Sequence, residues 1–449
     1  MGTKRDLTDI PLGLALFLLA VPMVIEMFME SLFAVVDIFF VAKLGADSVA
    51  VVVLTESVIT LIYAVAIGLS IGATATVARR IGEKDPDGAA KTAVQILYLG
   101  LIVSVTFGVV GALFSRQFLL VMGAKPEVLA HLSFTQVMLG GSMSVVMIFL
   151  INGIFRGAGD ASLAMRTLIL ANTLNIILNP CFIFGLWIFP ELGVTGSAVA
   201  TTIGRSTGVV FALWMLFKKN GRFQIRAHHF TPDFALIWQL VKISGAAIFQ
   251  MTVGMLSWIG LIRIMSGFGS EALAGYGIGF RIILFWLLPS VGMSNAAATL
   301  VGQSLGAGKP ERAEAAVWKA GIYNAVTLGV IGLFLAVFAY PVVEFFDGSE
   351  PVVMEYGAQC LRIVAYGFVF YGFGMVFETS FNGAGDTWTP TYINLFIFWL
   401  FEIPLAYVLA YHTSLGPHGV FWAITIAFSV LAVVAGLLFR RGKWKLQKV

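Results

Sequence analysis

Residues Arg156-Gly-Ala-Gly-Asp160 recur as Asn382-Gly-Ala-Gly-Asp386, which lie 226 positions further along the chain. Two other pairs of segments repeat in the same order, namely 45–50 (GADSVA) with 269–274 (GSEALA), and Gly193-Val-Thr-Gly196 with Gly416-Pro-His-Gly419. Their offsets of 224 and 223 are, like the first, close to half of the 449-residue chain. Matching offsets at three successive sites indicate an internal duplication. The fold is therefore predicted to consist of two similar halves.

The composition indicates the medium in which these halves fold. The chain is 59% hydrophobic and only 12% charged, whereas soluble domains carry about 25% charged residues. The deficit extends over the whole length, which excludes a nucleic-acid binder, a disordered protein and a cytosolic enzyme with one apolar tail. It indicates a polytopic membrane protein.

Twelve apolar stretches are long enough to cross a bilayer as helices, for which about 20 residues are needed. We number them spans 1 to 12: 12–42, 50–78, 90–115, 127–154, 162–186, 194–217, 236–266, 272–303, 313–341, 352–381, 388–411 and 418–440. The first span is too long for a signal-peptide core and is expected to be retained. Because each half holds six spans, the repeat is parallel. We expect an all-α membrane protein with two pseudo-symmetric six-helix bundles around a central cavity.

The duplication divides the chain into an N-lobe (1–217), a cytoplasmic linker (218–235) and a C-lobe (236–449). Cytoplasmic loops of membrane proteins are enriched in Lys and Arg. With the N-terminus inside, most of the 28 basic residues fall in cytoplasmic segments. The basic residues that fall outside are Lys43, Arg116 and Lys125. Both termini are therefore expected in the cytoplasm, and contact of the basic tail with anionic lipids is a further interpretation.

Six acidic side chains lie within the predicted spans, where a carboxylate costs roughly 2.5–3.5 kcal/mol to insert. They are Glu26, Glu30, Asp37, Glu56, Glu378 and Glu402. The first three lie in span 1, and at about 100° per residue they form one narrow stripe. This stripe is expected to face the interior of the N-lobe. Two carboxylates one turn apart resist joint ionisation, which is typical of a proton or cation site.

Span 5 offers a second polar stripe, because Asn172, Asn175 and Asn179 recur at i, i+3 and i+7. Amide oxygens ligate hard cations, and amides hydrogen-bond carboxylates. A Na⁺ site is therefore possible at Asp37 and Asn175. The alternative interpretation is that the asparagines only make interhelical hydrogen bonds. Pro22 precedes Glu26 by one turn and favours a kink, because it lacks a backbone N–H.

Four motifs carry a resemblance to a known family. They are 32–45 (LFAVVDIFFVAKLG), 68–82 (from Gly68-Leu-Ser-Ile-Gly72 to Ala78-Arg-Arg-Ile-Gly82), Arg156-Gly-Ala-Gly-Asp160 and Val301-Gly-Gln-Ser-Leu-Gly-Ala-Gly308. With twelve spans in this order, the chain resembles the multidrug and toxic compound extrusion (MATE) transporters over essentially its whole length. This family lies within the multidrug/oligosaccharidyl-lipid/polysaccharide exporter superfamily. The resemblance implies an efflux antiporter for drug-like small molecules, driven by H⁺ or Na⁺.

The resemblance also implies roles for residues of the first half. Asp37 is expected to be the principal coupling residue and Pro22 the hinge of helix 1, while the assisting residues are Glu26, Glu30, Asn175, Asn179 and Thr201. The chain departs from the family pattern at Asn179-Pro180, where related members with this site commonly carry Asp before the proline. Loss of a carboxylate weakens a cation site more than a proton site, so we expect H⁺ rather than Na⁺.

In the second half, another branch of the family carries acids in spans 7 and 10. Here span 10 offers Glu378, the repeat partner of Asn152, and span 7 offers Gln250 in place of an acid. These two form a candidate second-lobe site. A cavity for lipophilic cations favours aromatic faces, and the candidates for it are Asn152, Phe249, Trp258, Tyr276 and Trp286. Glu402 is expected to pair with Arg281 or Arg362.

The sequence shows no P-loop, Ser/His/Asp arrangement or metal-ligand spacing. We therefore expect no enzyme activity, no cofactor besides the coupling ion, and no nucleic-acid partner, in a monomer of the inner membrane. Two alternatives remain open. A flippase of lipid-linked oligosaccharides would need a basic cavity for pyrophosphate, yet few Lys or Arg lie in the spans. A membrane scaffold or receptor would transport nothing.

Overall fold

A computed structural model describes residues 6–218, 221–346 and 350–447. Within these ranges every regular element is helical, so the predicted all-α class is confirmed. Among the described residues, eleven helices are long and apolar enough to cross a membrane, and a bent pair makes twelve when it is counted as one span. Four basic residues of the predicted cytoplasmic segments lie outside the described residues, namely Lys4, Arg5, Lys219 and Lys448. Part of the predicted linker also lies outside them.

The helices of the first half follow the predicted spans closely. They are α1 (Leu12–Val41), α2 (Ala46–Gly82), α3 (Pro86–Val121), α4 (Pro126–Leu129), α5 (Leu132–Gly140), α6 (Ser142–Ala158), α7 (Ala161–Phe184) and α8 (Val194–Phe217). Those of the second half are α9 (Phe234–Met265), α10 (Ser270–Gly306), α11 (Pro310–Phe346), α12 (Pro351–Ala365), α13 (Phe368–Ala384), α14 (Trp388–Asn394), α15 (Ile403–Tyr411) and α16 (His418–Arg440). A π-helical segment, Leu395–Glu402, joins α14 to α15.

One predicted span is broken at a glycine. Span 10 bends by 61° between α12 and α13, at Gly367, whereas span 4 continues through Gly141, between α5 and α6, as the single span Leu132–Ala158. These two glycines are 226 positions apart, and glycine in a helix interior costs about 1 kcal/mol relative to alanine. The prediction of an uninterrupted helix was wrong at Gly367.

The repeated Gly-Ala-Gly motif has the same backbone geometry in both halves. Gly159 (φ 79°) and Gly385 (φ 87°) adopt the left-handed conformation just after α6 and α13, where glycine is favoured. The next residues close the helix ends, because the N–H of Asp160 donates to Phe155 O at 2.8 Å and that of Asp386 to Phe381 O at 2.9 Å. The motif is therefore a helix C-cap that the duplication preserved.

Asp160 gives this cap a pH-dependent contribution to stability. Its burial raises the pKa of the carboxyl above the ordinary value, and the Arg222 guanidinium opposes this only in part. A carboxyl whose pKa is raised on folding stabilises the fold at acid pH, and that stabilisation is lost as pH rises through the folded-state pKa. We therefore expect Asp160→Asn to raise the melting temperature at neutral pH and to change it little at acid pH. Thermal unfolding in detergent across this pH range measures the effect.

Asp386→Asn is the matched control, since the Asp386 carboxylate accepts hydrogen bonds from the backbone N–H and the hydroxyl of Thr389, at 3.2 and 2.7 Å. This variant should be no more stable than the parent at neutral pH. A lower melting temperature for Asp160→Asn at neutral pH would contradict the prediction.

The described residues cluster into two compact units, whose boundaries fall inside helices rather than in the linker. Unit 1 contains Ile25–Ile248, and unit 2 contains Leu7–Val24 and the chain from Phe249 onward. Helices α1 and α9 are therefore each shared between the units. The lobe boundaries expected from the repeat stay a prediction.

The described part of the linker packs on α3 of unit 1. The Tyr98 hydroxyl donates to Phe230 O at 2.8 Å, and the backbone N–H of Asp233 donates to Gln95 Oε1 at 3.1 Å. Lys91 Nζ lies 2.6 Å from Asp233 Oδ2 and, together with the backbone N–H of Leu236, lowers the pKa of the Asp233 carboxyl. These contacts fix the start of α9 against unit 1.

Candidate ion-coupling site

The three carboxylates of α1 all face the interior of unit 1, as their spacing predicts. Glu26 and Asp37 are buried, and the side chain of Glu30 is 18% exposed. Each carboxylate has its own set of partners, so the stripe consists of three separate polar groups rather than one acidic cluster.

Asp37 is held by neutral side chains of α7 and α8. Asn179 Nδ2 donates to Asp37 Oδ1 at 2.5 Å, and Asn175 Nδ2 lies 3.4 Å from the same oxygen. The Thr201 hydroxyl lies 2.9 and 2.8 Å from the two carboxylate oxygens and accepts a hydrogen bond from Asn175 Nδ2 at 2.8 Å. Among the described residues no Lys or Arg forms an ion pair with Asp37. The structure thus brings together Asp37, Asn175, Asn179 and Thr201.

A close approach of α7 and α8 makes this arrangement possible. A methyl group added at Gly204 would lie 2.7 Å from Ala171 O, which is too short for any real contact. Glycine at this position lets the two helices pack backbone to backbone, as small residues do in membrane bundles. Thr201, one turn before Gly204, is thereby brought within hydrogen-bond distance of Asn175.

Glu26 forms a buried ion pair with Arg156 at the end of α6. Arg156 Nη1 lies 2.6 Å from Glu26 Oε1, and Asn152 Nδ2 donates to the same oxygen at 3.3 Å. Arg156 Nη2 also donates to the Ser70 hydroxyl at 2.7 Å. Arg156, which the charge pattern placed in a cytoplasmic segment, is therefore a buried partner of Glu26. Asn152, a candidate for the substrate cavity, lies against the same carboxylate.

Glu30 belongs to a different group, centred on Arg205 of α8. Arg205 Nη2 lies 3.1 Å from Glu30 Oε1 and donates to the Tyr63 hydroxyl at 2.6 Å. Its guanidinium carbon also lies 4.4 Å from the centre of the Phe33 ring, which is a cation–π distance. These contacts show no direct interaction of Glu26 or Glu30 with Asp37, because each glutamate forms an ion pair with an arginine.

Asn172 makes an interhelical hydrogen bond, as the alternative interpretation of the asparagine stripe predicts. Its Nδ2 donates to Met29 O of α1 at 2.7 Å and to Leu168 O at 3.0 Å. This asparagine joins α7 to the backbone of α1, whereas Asn175 and Asn179 bind the Asp37 carboxylate. One stripe therefore has two roles.

The candidate second-lobe residues meet in unit 2. Gln250 Nε2 donates to Glu378 Oε1 at 2.6 Å, and Asn394 Nδ2 donates to the same oxygen at 2.7 Å. Asn394 was not singled out in the sequence. Glu378, like Asp37, is therefore a carboxylate bound by neutral amides.

The aromatic candidates have different surroundings. Phe249 is 47% exposed, whereas Tyr276 is buried and stacks on Phe280. Trp286 packs beside Phe334, and Trp258 lines a small cavity together with Glu402.

The pairing expected for Glu402 was wrong. Within 6–218, 221–346 and 350–447 it forms no ion pair with Arg281 or Arg362, because it is buried whereas Arg281 is exposed and Arg362 partly so.

In unit 1, Arg205 and Tyr63 are site residues that the sequence analysis did not single out. A basic residue inside a predicted span needs a counter-charge, so Arg205 could have been paired with an acid of span 1. Tyr63 gives no comparable signal, since a tyrosine in an apolar helix is common.

Asp87, His228 and His229 form a cluster of possible metal ligands that the sequence did not predict. His229 Nε2 lies 2.9 Å from Asp87 Oδ1, and His229 Nδ1 accepts a hydrogen bond from the backbone N–H of Arg226 at 2.9 Å. An imidazole whose Nδ1 accepts must carry its proton on Nε2 when it is neutral. His229 therefore donates to Asp87 and has no lone pair for a metal, so the cluster anchors the linker.

These features define a membrane-spanning helical protein with an internal repeat and buried carboxylates in both units. The MatE family model matches residues 22–181 and 245–408. The chain therefore belongs to the MatE family, and the resemblance read from the sequence is confirmed.

Relatives and solved structures of this family match nearly the whole chain. "Probable multidrug resistance protein YoeA" of Bacillus subtilis is 26% identical and the match covers 99% of this chain and 96% of that protein. "Probable multidrug resistance protein NorM" of Thermotoga maritima is also 26% identical, over 96% and 93%. A structure of the outward-facing conformation of a multidrug resistance MATE family transporter of the MOP superfamily is 28% identical, with a TM-score of 0.92 and full coverage of both chains.

Proposed function

We propose that this protein is a secondary active multidrug efflux antiporter that exports organic, often cationic, compounds in exchange for H⁺. The proposal rests above all on Asp37, a buried carboxylate that is held by three neutral side chains and forms no ion pair with a Lys or Arg of the described residues. A buried carboxylate without an ion-pair partner is a functional candidate in a membrane protein. Because Glu26 and Glu30 are paired with arginines, Asp37 is the α1 carboxylate that can bind and release a proton.

The donors around Asp37 favour H⁺ over Na⁺. Asp37 supplies the only carboxylate among these four side chains, since position 179 is Asn, and Asn175 and Asn179 reach it through amide nitrogens. A hard cation needs several oxygen ligands. A proton needs only the carboxylate itself.

Protonation would change how α1 is held. A carboxylate accepts hydrogen bonds on both oxygens, whereas a carboxylic acid must use one of them as a donor. The bonds from Asn179 and Thr201 to Asp37 would weaken, and α1 would be released from α7 and α8. Pro22 lacks the N–H that would stiffen the preceding turn, so we place the bend of α1 there. In this mechanism the bend reshapes the interior of the N-lobe and releases substrate outward.

The other parts of the proposal follow from the family and the charge pattern. The multidrug names of the relatives support small drug-like substrates, and the basic loops support an inner-membrane protein with both termini in the cytoplasm. We expect a monomer in contact with membrane lipids, with no enzyme activity. A pyrophosphate-binding flippase is not favoured, because Arg156 and Arg205 are already neutralised by glutamates.

Flux from proteoliposomes tests the coupling ion. The proteoliposomes enclose ethidium as the probe, and valinomycin with K⁺ clamps the voltage. An acid external buffer should then accelerate the release of ethidium several-fold. At equal pH on both sides, an inward Na⁺ gradient should have no effect.

Release that follows the Na⁺ gradient at clamped pH would reverse the choice of ion. Release that follows neither gradient for a panel of organic cations would contradict antiport and favour a membrane scaffold. Liposomes without protein give the background leak.

A further inference from the structure

Unit 2 contains a small cavity that the proposed antiport does not use. It has a volume of about 40 Å³, which gives room for about two or three water molecules. Glu402 lines it at the end of the π-helical segment and is only 1% exposed. Among the described residues its carboxylate has neither an ion-pair nor a hydrogen-bond partner.

The cavity occupies the position in unit 2 that the Asp37 site occupies in unit 1. Four of its lining residues are repeat partners of Asp37 and of polar residues near it, at the offsets of 223 and 224 that the repeated motifs give. The pairs are Asp37 and Leu261, Tyr63 and Leu287, Thr201 and Ile424, and Arg205 and Phe428. Glu402 lies in span 11, the repeat partner of span 5, which carries Asn175 and Asn179.

The comparison shows how the second half differs from the first. The position of Asp37 is apolar in unit 2, and the carboxylate is supplied instead by Glu402 of span 11, the repeat partner of the span that carries Asn175. Arg205 is replaced by Phe428, so the nearby cation is lost as well. Unit 2 therefore keeps an acid at this place in the repeat while it loses the groups that would hydrogen-bond or neutralise it.

The local backbone explains why Glu402 faces the cavity. Pro404 has no N–H to donate, and its ring disfavours a regular α-helical turn before it. The N–H of Ile403 donates to Phe398 O, five residues earlier, which is the π-helical pattern. Such π-helical turns frequently occur at functional sites.

The groups around Glu402 offer no positive charge. The titratable side chains are Tyr276 of α10, Cys360 of α12 and Tyr371 of α13, and the residues contributed by α9 and α16 are apolar. The Tyr371 ring stacks on Phe428 at 4.2 Å, and its hydroxyl has no partner within the described ranges. A hard cation would find too few oxygen ligands here, and a buried unpaired carboxylate is neutralised by taking up a proton.

We propose that Glu402 is a second proton-binding site, which lies inside unit 2 at the repeat position of the Asp37 site. It goes beyond the proposed function, in which Asp37 alone carries the coupling proton. The cavity and the free hydroxyl of Tyr371 would hold the water through which this proton exchanges.

Infrared spectroscopy of the full chain in lipid tests the proposal without a transport assay, so it stands or falls independently of antiport. The difference spectrum between the parent and Glu402→Gln at neutral pH should contain the carbonyl band of one protonated carboxyl group, and this band should shift in D₂O. Glu127→Gln, which removes an exposed acid, should show a loss in the carboxylate bands only.

A loss of carboxylate bands in Glu402→Gln would overturn the proposal, and so would a protonated band that does not shift after prolonged exposure to D₂O. If Glu402→Gln does not fold, Glu402→Asp should keep a protonated band at a changed frequency, and its absence would count against the site. Because glutamine replaces a neutral acid of the same shape, the melting temperature should not fall at neutral pH. A clear fall would indicate an ionised, stabilising Glu402.

Discussion

Asp37→Asn is expected to abolish gradient-driven efflux while the protein remains folded. Asparagine has nearly the same size and still offers one oxygen to Asn179 or Thr201, so the packing of α1 against α7 and α8 should persist. It cannot take up a proton in the pH range of the cell, and the proposed release of α1 would not occur. The expected loss is at least tenfold in the rate of ethidium release driven by a pH gradient, measured in proteoliposomes with equal amounts of protein.

Two controls make this result specific. Glu127→Gln removes an exposed carboxylate and should leave the rate within a factor of two of the parent. Thr201→Val keeps the Asp37 carboxylate but removes a hydroxyl that lies 2.8 Å from it, so its rate should fall less than that of Asp37→Asn. Full activity of Asp37→Asn, with an unchanged melting temperature, would refute the proposed role of this residue.

The helices could be predicted from sequence because apolar length and the repeat are strong local signals. The bend at Gly367 could not, since one glycine inside a long apolar run does not show whether a helix bends or continues. The π-helical segment before Pro404 is similar: proline indicates a disturbance of the helix, but not which hydrogen-bond pattern replaces the regular one.

For the site, spacing along one helix predicted the stripe of α1 correctly, and the family resemblance selected Asn175, Asn179 and Thr201 as neighbours of Asp37. The arginine partners of the two glutamates come from α6 and α8, more than 120 residues away. Periodicity contains no information about which helices pack together, so Glu26 and Glu30 looked like members of the Asp37 site. Charge balance would have separated these acids from Asp37, since each buried acid of this stripe needs either a cation or a coupling role.

The Glu26–Arg156 pair allows a direct test of whether a buried acid is structural or takes part in ion coupling. Its side chains are 2% and 8% exposed, and removal of one member of a buried ion pair costs about 3–5 kcal/mol, because the other charge remains buried. Arg156→Met should therefore destabilise the protein by about this amount. The free energy change would be obtained from thermal or denaturant unfolding in detergent.

The double variant Glu26→Gln/Arg156→Met should recover most of that stability, because no uncompensated charge is left, and the double-mutant cycle measures the coupling between the two residues. The pair of Arg80 and Glu83, at 3.0 Å but about one-third exposed, is the matched surface control, and Arg80→Met should cost at most about 1 kcal/mol. If Glu26 is structural, the double variant will still release ethidium down a pH gradient, in contrast to Asp37→Asn. If a stable double variant no longer releases ethidium in response to a pH gradient, Glu26 belongs instead to the proton pathway.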